Sequence, residues 1–142
     1  MGISAEQAAA VKSAADAVRG NAGQHAADFF IFFFKKFPDV QNKFPHFKGK
    51  SVDSLTGVPQ FAGHTSAVLE DVLKTVCLAG DDAALAAKGK QVAADHVARH
   101  VGAAEYKLLF AALNEFLAAK LGGAYNAGAW DAASKAVMAA LG

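Results

Sequence analysis

The stretch Phe61-Ala62-Gly63-His64-Thr65-Ser66-Ala67-Val68-Leu69-Glu70-Asp71-Val72-Leu73-Lys74-Thr75-Val76 decides the fold. Its large apolar residues, Phe61, Val68, Leu69, Val72, Leu73 and Val76, recur at helical spacings and share one broad face. That is the pattern of an amphipathic helix with a buried side. Pro59 suits the first turn of such a helix, where a missing N–H costs nothing. The segment is predicted to reach about Ala79, before the break at Gly80-Asp81-Asp82.

The same reading extends to both ends. Alanine is abundant, prolines are few and β-branched alternation is absent, so the whole chain reads as helix. A first helix opens at Ser4, with Gln7 three residues on completing a capping box. It is predicted to run to about Arg19 and to stop at Gly20-Asn21-Ala22-Gly23. A second spans about Gln24 to Phe37, and Pro38 turns the chain. A short helical turn to about Asn42 follows, then an irregular stretch over 44–58. Beyond the central helix come segments from about Asp82 to Ala98, Ala103 to Leu121 and Asn126 to Leu141. The fifth buries Tyr106, Leu109, Phe110, Leu113, Phe116 and Leu117, and Gly122-Gly123 ends it. The last carries Trp130, Val137 and Met138. Six or seven helices with short connections make an all-α domain, and 142 residues fit one domain covering 1–142.

Composition removes several functions. The chain is 54% hydrophobic with a formal net charge of +1, so a core can form but a basic nucleic-acid footprint is absent. Lys35, Lys36, Lys43, Lys48 and Lys50 make a local basic stretch, which Asp39, Phe37, Phe44 and Phe47 interrupt, as on a solvated loop face. Cys77 stands alone, without a disulfide partner or a thiolate cluster. Flanked by Val76 and Leu78, it reads as a buried, inert thiol. The N-terminal residues have neither a basic start nor an apolar run. Glu6 stands where a myristoylation signal wants Ser or Thr. The apolar run Phe29 to Phe34 is far short of the roughly 20 residues that span a bilayer. The expectation is a cytoplasmic protein without membrane contact.

Two histidines carry the chemistry. His64 and His96 each sit in an apolar helical segment, and the Gly80-Asp81-Asp82 break lets those segments face each other. Histidine is the commonest biological metal ligand. A lone histidine on an apolar helix is more often a core residue with a satisfied hydrogen bond. The pair leaves both readings open.

The ordered set Phe37-Pro38, Lys43-Phe44-Pro45-His46-Phe47-Lys48-Gly49-Lys50, His64, Val68, His96 and His100 resembles the globin family, and the resemblance spans essentially the full chain. Phe47-Lys48-Gly49-Lys50-Ser51-Val52 looks like gastropod mollusc myoglobins. Gly63-His64-Thr65 and Phe110-Ala111-Ala112-Leu113-Asn114-Glu115-Phe116 look like marine annelid globins, the dehaloperoxidase branch included. The resemblance implies an intracellular invertebrate globin fold of six to eight helices enclosing a haem pocket.

It also implies haem b as cofactor. His96 is then the axial iron ligand, its other ring nitrogen donating to a backbone carbonyl one turn earlier. His64 stands on the opposite face as hydrogen-bond donor to bound O2. Phe44 lies against the haem plane, and Val68 limits ligand size. Phe30 falls where many globins have leucine, facing the ligand with a positively polarised ring edge. Phe47, Val92, Tyr106 and Phe110 complete the cofactor contacts. His46 and His100, with Arg99 a weaker candidate, approach the propionates, and His25 is left at the surface. The partners implied are O2 and other diatomic ligands, bound by a monomer or homodimer.

The function so implied is reversible oxygen storage or transport, not an enzymatic one. The alternative is a haem peroxidase, dehaloperoxidase-like, with His64 as acid–base catalyst. Some invertebrate globins supply a distal arginine one turn beyond the histidine, and Ala67 holds that position here. Asp95 adjoins His96, but helical neighbours point about 100° apart.

Overall fold

A computed structural model describes residues 3–97 and 101–141. Helix α1 covers Ala5–Arg19. Ser4 Oγ accepts from the Gln7 N–H at 3.1 Å, and the Gln7 side chain accepts from the Ser4 N–H at 3.0 Å, so the predicted capping box forms. Val11, Ala14, Ala15 and Val18 are its buried stripe.

Helix α2 runs Ala22–Lys36, beginning two residues before the predicted start. Gly23 is therefore inside the helix. Glycine in a first turn is a weak helix former, and the burial of Ala26, Phe29, Phe30, Phe33 and Phe34 on the same helix outweighs that. Pro38 opens a 3-10 helix, Pro38–Lys43, the predicted short helical turn extended by one residue. A second 3-10 helix, Val52–Gly57, orders part of the stretch expected to be irregular and buries Leu55.

Helix α3 spans Phe61–Cys77. Pro59 lies in the turn before it rather than in its first turn, because Val58 and Gln60 already supply the carbonyls that the Phe61 and His64 N–H groups bond. Helices α4 (Asp82–Val97), α5 (Ala103–Leu121) and α6 (Ala127–Leu141) follow. Gly122, at φ +52°, stops α5 in a conformation that side chains disfavour.

Helix α6 lies centrally, against α1, α3, α4 and α5, while α2 packs on α3 and α5. Trp130, Phe29, Phe30, Phe34, Phe47, Phe61, Leu73, Leu113 and Leu117 fill the core between them. A half-buried polar knot ties its far end. Asn114 donates to the Phe110 carbonyl at 2.9 Å and to Ser134 Oγ at 3.1 Å, and accepts from the Tyr125 hydroxyl at 2.8 Å. Among the described residues no helix is long and apolar enough to cross a membrane.

The apolar stripe that predicted α3 is not uniformly buried. Phe61, Leu69, Leu73 and Val76 reach the core, but Val68 and Val72 are half-exposed. Leu109 on α5 departs from its expected burial in the same way. All three turn toward a cleft between α3 and α4 rather than into the core.

Candidate functional site

The cleft has two lobes, of about 660 and 540 Å³. His64, Val68, His96, Tyr106 and Leu109 line both. The two histidines singled out from the sequence therefore face one space, from α3 and from the last turn of α4.

On the α3 side, His64 is half-buried among rings. Phe44 meets it edge-on at 5.4 Å and 85°, Phe47 at 5.5 Å and 90°. Phe44 stands in turn at 5.9 Å and 83° from Phe30, and at 5.3 Å from Phe34. Edge-to-face contacts of this kind are favourable and directional, so α2 aims Phe44, and Phe44 and Phe47 aim His64. Phe30 and Phe44 line the larger lobe, with His46 exposed at its rim beside Lys43 and Asn42. Phe47 lines neither lobe but buttresses the His64 ring from behind.

The loop bearing Phe44 and Phe47 is pinned by a residue the sequence reading passed over. Gln41, 6% exposed, donates to the carbonyls of Phe47 and Lys50, both at 2.7 Å. Nothing in the local sequence signals it, since a buried glutamine is recognisable only once the loop folds over it.

On the α4 side, His96 Nδ1 lies 2.7 Å from the Val92 carbonyl oxygen. A carbonyl only accepts, so Nδ1 carries the proton and Nε2 keeps its lone pair. Tyr106 packs edge-on at 5.9 Å and 71°. Burial, helped by the Glu105 carboxylate, pushes the Tyr106 phenol above its ordinary pKa. Its hydroxyl is buried without a hydrogen-bond partner among the described residues. Val92 and Phe110 line the smaller lobe.

Several expectations need adjustment. His25, expected at the surface, is half-buried, and its Nδ1 lies 2.9 Å from the Val18 carbonyl. That carbonyl belongs to the last turn of α1, where intrahelical donors run out. Cys77 is half-buried rather than buried, because α3 ends on it at the molecule's edge. Glu70 and Asp71 form ion pairs within the chain, with Arg19 at 3.1 Å and Lys88 at 2.6 Å. Asp71 could have been found: it continues the stripe His64, Val68, Asp71 and Thr75 at helical spacing. Within the basic stretch, Lys35 pairs with Asp53 and Lys36 with Glu115. His100 and Arg99 lie outside the described residues.

The arrangement can hold a flat apolar group edge-in, offer an imidazole lone pair on one side, and present a second imidazole on the other. Ala67, at the rim, supplies no guanidinium.

A sequence model of the Globin family matches residues 27–141, and the chain belongs to that family of oxygen-binding haem proteins. Among its relatives, Globin CTT-VIIB-7 of Chironomus thummi piger is 33% identical over 133 residues, spanning 91% of this chain and 80% of that protein. The globin of Nerita albicilla is 33% identical over 139 residues, spanning 95% and 88%. The crystal structure of ferric Aplysia limacina myoglobin superposes with a TM-score of 0.87 at 28% identity, covering 98% of this chain and 96% of that one. The chain is therefore an invertebrate-type globin, all-α as its helical periodicity predicts.

Proposed function

We propose that this chain binds O2 reversibly, for storage or transport, on a haem b held between His96 and His64. The observation that carries the reading is the His96–Val92 hydrogen bond. It fixes the tautomer that leaves Nε2 unprotonated toward the cleft, which is the form an imidazole needs to ligate iron. The donor set fits this cofactor. Among the described residues no cluster of three or more His, Cys, Asp or Glu exists to hold a bare ion, whereas haem would bring its own metal and would ask one histidine of the chain, which His96 would supply.

Bound haem supplies an iron that takes O2 or another diatomic ligand reversibly. The remaining work belongs to the chain. His96 holds the cofactor. His64, steadied by Phe44 and Phe47, donates a hydrogen bond to the ligand. Phe30 and Val68 exclude water, and Val68 also limits ligand size. Phe44, Val92, Tyr106 and Phe110 wall the ring, with Phe47 behind. His46 at the rim meets a propionate. The 1–142 chain acts as one domain in the cytoplasm, as a monomer or homodimer. The peroxidase alternative gains no support, since no arginine stands at Ala67 and His96 bonds a carbonyl rather than a carboxylate.

Absorption and stopped-flow spectroscopy test this. The haem-loaded protein should show a Soret band. In His96→Gly the band should weaken and return on adding imidazole. His64→Leu should release O2 roughly 10- to 100-fold faster, as loss of a bond worth about 1.5–3 kcal/mol implies. A colourless protein, or an unaltered off-rate in His64→Leu, overturns the assignment.

A further inference from the structure

A cleft that holds a flat group must also keep it from leaving. Asp71 on α3 and Lys88 on α4 form an ion pair, Oδ1 to Nζ 2.6 Å. Both line the smaller lobe, and their side chains are 46% and 20% exposed respectively. The pair thus stands at the rim, half in the cleft and half in solvent. His46 lines only the other lobe, so this is a different edge of the site.

The backbone on each side is well placed. Asp71 lies two turns beyond His64 on the same stripe, and its carbonyl accepts from Thr75 Oγ at 2.7 Å. Lys88 adjoins Gly89, which sits directly against Ala140 of α6, and His96 lies about two turns further along α4. The two charges therefore join the helix bearing His64 to the helix bearing His96 across the open side of the cleft.

We propose that the Asp71–Lys88 pair is a clasp that slows departure of the bound cofactor through the α3–α4 side. This rests on the haem-binding reading above. A part-exposed pair adds little to overall stability. A group leaving through this lobe must first part the two charges, so their attraction enters the barrier to release rather than the folding equilibrium.

The test is haem transfer from the ferric holoprotein to an excess of an apo-globin acceptor, followed in the Soret region. Lys88→Met and Asp71→Asn should each release haem about three- to fivefold faster. The double variant should be no faster than either single one. The exchanged pair Asp71→Lys with Lys88→Asp should recover most of the parent's slowness. Salt at about 0.5 M should speed release from the parent more than from Lys88→Met. Unaltered release in the single variants, additive effects in the double, or an equal loss of thermal stability in the apo chain would each overturn the clasp. Failure of the chain to take up haem overturns the underlying reading as well. A full Soret band with unaltered release overturns the clasp alone.

Discussion

Gly89 and Ala140 meet so closely that a Cβ built on Gly89 would stand 2.5 Å from the Ala140 carbonyl oxygen. The obstacle is backbone, so the clash cannot be relieved by turning a side chain. Helix α4 is seated on α6 at this point, and the seat places His96 two turns on. Gly89→Ala should therefore destabilise the fold by about 1–3 kcal/mol, the usual cost of overpacking. That corresponds to a drop of roughly 3–10 °C in Tm. Thermal melts check the size, and a shifted Soret maximum checks that the displacement reaches His96.

Phe30 is fully buried, and its ring stands edge-to-face with Phe29, Phe34 and Phe44 while lining the larger lobe. With Phe30 facing the ligand as proposed, replacement by leucine would remove a polarised ring edge from beside it. Edge contacts of this kind are worth about 0.5–1.5 kcal/mol, so O2 should leave Phe30→Leu roughly two- to tenfold faster. Stopped-flow displacement of O2 measures it, and a slower or equal off-rate would remove Phe30 from the ligand's environment.

Gln41→Leu would keep the side chain's bulk while stripping the donors from the Phe47 and Lys50 carbonyls. Leaving buried acceptors unmet costs about 1–3 kcal/mol. Amide exchange should rise over residues 44–50 before it rises elsewhere, and the His64 ring, now less firmly buttressed, should bind ligand less tightly. Uniform exchange across the chain would contradict this local role.

The alkaline limb of stability should be set partly by Cys77. Burial pushes its thiol above the ordinary value of 9.0, against the opposing pull of the Arg19 guanidinium. Burial likewise raises the phenols of Tyr106 and Tyr125. In each case the folded state resists ionisation that the unfolded chain accepts. Their contribution is whole below the ordinary values and is lost as pH rises through the folded ones. Stability should hold near neutrality and fall above about pH 9. Tm measured from pH 7 to 11 should fall less steeply in Cys77→Ala, and iodoacetamide should label the parent's thiol slowly at pH 8. A parallel fall in both proteins would exclude Cys77 as a contributor.

What could be read from sequence was local. The Ser4 cap, the Ala103–Leu121 bounds and the α3 stripe are each set by residues within a turn or two of one another. His64 and His96 stood out because nothing else on their apolar faces offers comparable chemistry. What escaped depends on distant partners. Gly23 stays helical because Phe29 and Phe33 are buried far along the same helix. Gln41 matters only once 44–50 closes over it, and Gly89 only once α6 arrives. Lys88 and Asp71 are separated by a helix terminus and a turn, so their meeting is a property of how α3 and α4 cross.

Among the helices around the cleft, α4 contributes least to the core: Leu85 and Gly89 are its buried residues. The α2 side, by contrast, is a wall of interlocked phenylalanines. The two imidazoles thus have unequal foundations, one set in a rigid lattice and the other on a lightly moored rod. A molecule that ligates His96 binds the native arrangement and not the unfolded chain, so it adds to the stability of the helix that grips it. Cofactor capture and the stability of α4 are then linked, so a filled site holds α4 more firmly than an empty one.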